Sequence, residues 1–399
     1  MASTSASELL GHILADGTWP PELLDRVIAR AAADPQASRE FFTVVIERLG
    51  DLFEPGLCDA YARLFSRAIE YVDPELRAAD LTTRYDRVRR ARPCRADPGN
   101  VFVLSRITLG ADVVVTSTIL DAVMRRWPRA KVWFVGPRKN WALFAGNPRV
   151  ERLAFDYPRG GTLSERIAVW RELRNLFEPS AGIVIDPDSR LTQLGLLPIC
   201  REDRYFLFES RAYGGAGDAP LAELTRQWCG EVFGIDNASR WVAPLGPRGD
   251  CDITISFGVG ENEEKRVGDE FERELLVRLA TRRITLDAGA TGTEAARAKR
   301  AAEGLEHVTV YQGEYAPFAA MITGSRLYVG YDSAGQHVAA AAGTPLVSIF
   351  TGYASERMLE RWKPTGAGFI HVVDVAAADA RASALSRVLS ALQGSAAVM

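Results

Sequence analysis

Residues 327–345 read LYVGYDSAGQHVAAAAGTP. An apolar run over 327–331 passes through a polar turn, Asp332, Ser333 and Gly335, into a small-residue helix that carries His337. A strand that delivers polar groups to a helix N-terminus is how a parallel α/β sheet builds a floor for a phosphorylated or hydroxyl-rich ligand. Asp332 and Ser333 would serve equally as helix caps. The rest of the chain has to separate the two readings.

Outward from this stretch, short apolar segments alternate with amphipathic ones. Strands are predicted at 253–258, 284–289, 307–313, 326–332, 345–352 and 369–375, with helices at 269–282, near 293–303, and at 316–323 and 335–342. An earlier series has strands at 101–107, 131–136, 150–155, 181–186 and 205–210. Helices are predicted there at 112–126, 141–146, 163–177 and 221–233. Strand–helix alternation predicts right-handed βαβ units and parallel sheets. The expectation is an α/β protein of two doubly wound, Rossmann-like domains, 96–245 and 246–399, facing a cleft. Residues 1–95 read differently. Apolar residues recur at helical spacing over 21–33, 37–50 and 55–72, as in Phe41, Val45 and Leu49, and no strand is evident. An all-helical extension is expected there, joined by the Arg- and Pro-rich segment 89–99.

The chain is 47% hydrophobic and 25% charged with a net charge of −3, which fits a globular protein and gives no global attraction to nucleic acid. No apolar run reaches the roughly 18 residues of a membrane span. The opening MASTSASELLGHILADG lacks a basic start and a long apolar core, so a secretory signal is not expected. Five scattered cysteines lack metal-ligand spacing, and reduced thiols without structural zinc are expected.

Three further segments could carry chemistry. In SRITLGADVVVTS (105–117), Gly110 opens a turn and Asp112 heads a helix, as a dipole partner or a general base. In SFGVGENEEKRVGDEF (256–271), Gly258, Val259 and Gly260 could turn amides toward an anion, with Lys265 and Arg266 supplying charge. A solvated loop, with Glu263 and Glu264 cancelling the basic pair, is the plainer alternative. In LDAGATGTEAARAKRAAEG (286–304), Glu294 stands in a first helical turn, as a ribose ligand or a dipole partner. No GxGxxG opens the first domain and no nucleophile elbow is present, which disfavours dinucleotide oxidoreductases and serine hydrolases.

Taken in order, these segments resemble glycosyltransferase family 9, the ADP-heptose:lipopolysaccharide heptosyltransferases of GT-B fold. LGADVVVT (109–116) is similar to the family's Gly-Asp-Val turn, with Ala111 inserted. EEKRV (263–267) is similar to its Lys-(Arg/His)-Trp cluster, with Val267 for tryptophan. GATGTEAARAKRAAEG (289–304), YDSAGQHVAAAAGTP (331–345) and LFAGNPRVERL (143–153) also match family segments. The resemblance spans about residues 100–365 and leaves the helical extension outside it.

The resemblance implies an inverting, metal-independent transfer of a sugar, heptose first, from an ADP-activated donor to an acceptor hydroxyl. No cofactor is implied, the ADP-sugar being substrate. Asp112 would be the base. Gly258, Val259, Gly260, Lys265 and Arg266 would face the phosphates, and Glu294 the ribose. Asp332 would hold sugar hydroxyls, Ser333, Ala334 and Gly335 would offer amides, and His337 would support the turn. Arg138, Asp186, Asp188 and Arg190 are candidate acceptor contacts, DPDS (186–189) being read as such a contact or a turn and not as a metal site. The acceptor is lipopolysaccharide core, a protein or a small natural product. A cytoplasmic location, peripheral at the inner membrane, and a homo-oligomer are compatible with this. Alternatives are a GT-B enzyme for another nucleotide sugar (transferase, epimerase or hydrolase) and a non-catalytic nucleotide-sugar-binding scaffold.

Overall fold

A computed structural model describes residues 5–260, 262–289, 291–375 and 378–396. Glu261 and Ala290, in two of the segments above, and the first four residues of the opening stretch lie outside them. The chain packs as two compact units. The first comprises residues up to Ile107, Ile119–Pro137 and Arg149–Ala238, and the second Thr108–Thr118, Arg138–Pro148 and the chain from Ser239 onward.

The first unit holds β1 (Asn100–Leu104), β2 (Lys131–Gly136), β3 (Val150–Ala154), β4 (Ile183–Asp186) and β5 (Tyr205–Leu207). They form one parallel sheet in the order β3-β2-β1-β4-β5. The second holds β6 (Ile253–Ser256), β7 (Ile284–Asp287), β8 (Val308–Tyr311), β9 (Leu327–Tyr331), β10 (Leu346–Phe350) and β11 (Ile370–Asp374). Their order, also parallel, is β11-β10-β9-β6-β7-β8. Both orders are doubly wound, and each reverses beside its first strand. Strands β4, β6, β9 and β10 are buried along their full length, which is why each reads as a near-continuous apolar run.

The extension is helical, as expected: Ser5–Asp16, Pro21–Ala33, Pro35–Asp51 with a π turn at Phe41–Ile46, Pro55–Val72 and Ala78–Val88. Three of these helices start with proline at their first turn, where the missing N–H costs nothing. The extension belongs to the first unit. Its Leu9, Phe41, Leu64 and Ile69 share one apolar core with Val184 and Leu207 of the sheet. It lies over the chain that follows β4 and β5. Tyr61 Oη donates to the Gln193 carbonyl at 3.1 Å and Arg84 Nη1 to the Gly195 carbonyl at 2.7 Å. A Cβ at Gly50 would meet the Arg211 guanidinium at 2.9 Å.

The helix after β1 starts at Leu109, three residues before the expected position, and runs to Arg126 through a π turn at Asp112–Thr116. A π turn closes i→i+5 bonds and so holds one residue more than an α turn. Ala111 stands directly before that turn. The short helix expected at 141–146 is instead Arg138–Trp141, ending before Ala142.

Candidate functional site

In the second sheet the strand order reverses between β6 and β9, and the chain segments leaving their carboxyl ends are the glycine loop at 257–260 and the Asp332 turn. That is where open α/β sheets bind ligands. Two glycines there are fixed by one ring. A Cβ at Gly330 or at Gly335 would fall inside the phenol of Tyr328, itself fully buried. Gly335 lies in the first turn of the helix Ala334–Ala342, so the ring sets how closely that helix approaches the sheet. Gly335→Ala is expected to lower unfolding stability by about 1–3 kcal/mol through overpacking. A urea midpoint equal to that of the parent would mean Tyr328 can turn aside.

Asp332 is the hub of the turn. Lys265 Nζ reaches its Oδ2 at 2.6 Å, with the two side chains 17% and 8% exposed. Gln336 Nε2 donates to Oδ1 at 2.6 Å, and Ser348 Oγ of β10 donates to Gln336 Oε1. His337 is buried next to them. Burial pulls its pKa down to about 4, aided by the charges of Arg240 and Lys265 and opposed by Asp332, so the imidazole is neutral near pH 7. The Ser333 side chain makes no cap bond to the helix, so the capping alternative does not apply to it.

The segment that bears Lys265 is a short 3-10 turn, Glu263–Lys265, capped by Asn262, whose Oδ1 accepts from the Glu264 amide at 3.0 Å. It rests on Gly352, where a Cβ would strike the Glu264 backbone. Arg266, expected at the phosphates, is otherwise engaged. Its Nε and Nη2 donate to Glu272 at 2.9 and 2.8 Å, and Nη2 also to Asp269 at 2.5 Å. It therefore fixes the start of the helix Asp269–Arg278. Glu294 forms a capping box with Thr291. Its Oε1 also accepts the Val259 and Gly260 amides, each at 3.0 Å. Here the amides expected to face an anion already face a carboxylate, which holds Gly258–Gly260 against the helix Gly292–Ala302.

Asp112 has no exposed surface. Thr116 Oγ1 donates to Oδ1 and Asn140 Nδ2 to Oδ2, both at 2.6 Å. The turn carrying it lies against the helix Ala334–Ala342. A Cβ at Gly110 would be 3.0 Å from His337 Cδ2 and 3.4 Å from Ala334 Cα.

The acceptor candidates are divided between the two units. Arg138 is exposed and heads its short helix in the second unit. In the first unit, Asp186 is enclosed and accepts from the Ser189 amide, Thr192 Oγ1 and Tyr205 Oη. Burial raises its pKa to about 6. Those bonds fold the 186–192 turn. Asp188 accepts from Ser210 Oγ at 2.9 Å and pairs with Arg211 at 3.3 Å. Arg190 lies 6.0 Å from the Phe42 ring centroid, against the extension. The sequence reading missed Gln336, Ser348, Asn140, Glu272 and Tyr328. None has a motif of its own; a glutamine four residues after Asp332 on a helix was the one available signal. A cavity of about 640 Å³ lies elsewhere, beside the edge strand β11, lined by Leu359, Lys363, Thr365 and Ile370 among others. Among the described residues no His/Cys/Asp/Glu cluster is suited to a metal ion, and no helix is long and apolar enough to cross a membrane. All five cysteines are free and buried.

Two Rossmann-ordered sheets in one chain, with a polar turn at the reversal point of the second, define the GT-B class of α/β enzymes. Three solved structures share the fold. E. coli heptosyltransferase WaaC with ADP is 19% identical, with a TM-score of 0.55, over 73% of this chain and 99% of its own. E. coli ADP-heptose lps heptosyltransferase II is 16% identical, with a TM-score of 0.53, over 74% and 98%. The family 9 glycosyl transferase from Veillonella parvula DSM 2008 is 15% identical, with a TM-score of 0.52, over 73% and 89%. No curated protein sequence matches the chain. Residues 261–374 match the model of glycosyltransferase family 9 (heptosyltransferase), so this segment of the second unit is similar to that family.

Proposed function

We propose that this protein transfers a sugar, heptose first among candidates, from an ADP-activated donor to an acceptor hydroxyl, with inversion and without a metal. The observation that carries the reading is the adjacency of two parts within one unit. The turn bearing Asp112 lies on the helix that starts at Ala334, through the close approach of Gly110 to His337 and Ala334. A base for the acceptor and a helix N-terminus for the donor phosphates then adjoin, as a single displacement requires. In this mechanism Asp112 exchanges Thr116 or Asn140 for the acceptor hydroxyl and takes its proton. The positive end of the helix and Lys265 meet the charge on the departing diphosphate. Asp332, which anchors Lys265, also offers its carboxylate to sugar hydroxyls. The printed names of the similar structures, one with ADP and one an ADP-heptose enzyme, support ADP as the donor nucleotide.

The enclosure of Asp112 favours one second reading, a nucleotide-sugar-binding scaffold without turnover. A thermal-shift series tests the donor. ADP at about one hundred times its Kd is expected to stabilise the protein by about 2.7 kcal/mol, with UDP and GDP giving less. A larger shift with UDP would reassign the donor, and indifference to every nucleotide would sink the reading. Incubation with ADP-heptose and candidate acceptors, followed by mass spectrometry, separates transferase from scaffold.

A further inference from the structure

Most groups expected to meet the donor's diphosphate are already engaged by protein. Lys265 is paired with Asp332, Arg266 with Glu272 and Asp269, and the Val259 and Gly260 amides with Glu294. A diphosphate needs more positive charge than a lysine shared with a carboxylate supplies.

Arg240 has it. The residue lies at the start of the long final segment of the second unit. Nη2 donates to the Thr365 carbonyl, whereas Nη1 is buried with no protein partner. Among the described residues no carboxylate is paired with it. Burial alone brings its pKa down to about 10, as expected of a cation taken out of water with nothing opposite it. Holding such a charge is unfavourable until an anion arrives. Its field reaches His337, which is also under the influence of Lys265 and Asp332.

Among the other buried polar atoms of this unit without a protein hydrogen bond are His337 Nδ1, Trp241 Nε1 and Asn140 Oδ1. They are tied to the same turn. Asn140 donates to Asp112, the Trp241 amide donates to Ser117 Oγ at 3.2 Å, and His337 lies against Gly110. Unmet donors and acceptors of this kind in a native protein call for an explanation. A cation, an N–H donor and an amide oxygen together match an anionic group that also carries hydroxyls, such as a glycosyl diphosphate.

We propose that Arg240 is a diphosphate ligand of the sugar nucleotide, with Trp241 Nε1 and Asn140 Oδ1 taking hydroxyls of the sugar beside Asp112. This rests on the nucleotide-sugar reading above. In the transfer, the acceptor oxygen bonds to the anomeric carbon as its proton passes to Asp112. The bond from that carbon to the diphosphate oxygen breaks with its electron pair, and the charge left on the diphosphate falls opposite Arg240. The planar guanidinium offers its N–H donors to two phosphate oxygens in a fixed fork, whereas a lysine ammonium is a compact point charge.

The test is calorimetric titration of the full chain, its Arg240→Gln and Arg240→Lys variants, and Lys265→Ala, with ADP, adenosine and inorganic pyrophosphate. Arg240→Gln is expected to weaken ADP and pyrophosphate binding by about tenfold to a hundredfold, to leave adenosine binding unchanged, and to melt no lower than the parent, because a lone buried charge is removed. Arg240→Lys should recover part of the loss. Wild-type affinity for ADP and pyrophosphate in Arg240→Gln would overturn the proposal. So would an equal loss of adenosine binding, or a lower melting temperature in both Arg240 variants, since either marks a structural role. If the parent binds pyrophosphate but not ADP, the nucleotide reading fails. Arg240 is then judged on pyrophosphate alone, loss of binding in Arg240→Gln supporting it and retention overturning it.

Discussion

Replacing Asp112 by asparagine is expected to cut sugar transfer by about 10²–10⁴-fold, the usual contribution of a general base, with little change in ADP affinity. Asparagine keeps the shape and can still accept at its amide oxygen, so Thr116 or Asn140 retains a partner. It cannot take a proton. The isosteric change is the informative one, because the residue is wholly enclosed and bonded at both oxygens. Asp112→Ala would instead leave Asn140 Nδ2 and Thr116 Oγ1 without acceptors, at about 1–3 kcal/mol for each buried group. Initial rates with saturating donor, beside a melting curve, separate the two effects. Full activity in Asp112→Asn would remove it from the base role and leave it as a clamp between the π turn and the helix that begins at Arg138.

Asp332→Ala is expected to lower stability by about 3 kcal/mol, the lower end of the range for breaking a buried ion pair. The lower end applies because Lys265 keeps some access to water, its side chain being 17% exposed. The variant also leaves Gln336 Nε2, on a fully buried side chain, with only the longer contact to His337 Nε2 at 3.4 Å. Denaturant melts of Asp332→Ala, Lys265→Met and the double variant form a cycle that isolates the pair. A coupling near zero would show that the two charges are held apart by solvent, as exposed pairs are. The same cycle read with ADP shows whether Lys265 gains affinity when Asp332 no longer holds it.

The sheets were legible because buried parallel strands leave an unmistakable apolar signature. All eleven predicted strands are present; β2 has the bounds read, β1 starts one residue earlier and ends three sooner, and the others are trimmed by one to three residues at one or both ends. The helices Ser5–Asp16 and Ala78–Val88 were not read; neither opens on the proline that marked its neighbours. The site was legible as residue types and less so as partnerships. Glu294 reads as a ligand or a dipole partner in sequence. Only the fold shows that it accepts amides from a loop 34 residues away. Arg266 looks like a phosphate cation until Glu272, six residues on, is seen to take it. Arg240 carried no signal at all, because a lone arginine in a connecting segment is ordinary until its Nη1 is seen to be enclosed without a partner. Such pairings depend on long-range packing, which a local pattern does not encode.

The π turn at Asp112–Thr116 has a consequence for how this chain can vary. Ile119, Leu120 and Val123 beyond it are fully buried in the first unit, so the later part of the helix is held by packing there. An ordinary helix would lock the azimuth of Asp112 to that face. Each residue added or removed there would swing the carboxylate by about 100°. The wide turn works instead as a one-residue vernier: a residue can be gained or lost within it while Ile119 and its neighbours keep their seats. The aim of the carboxylate and the packing of the scaffold are thereby decoupled, and selection could adjust the first without touching the second.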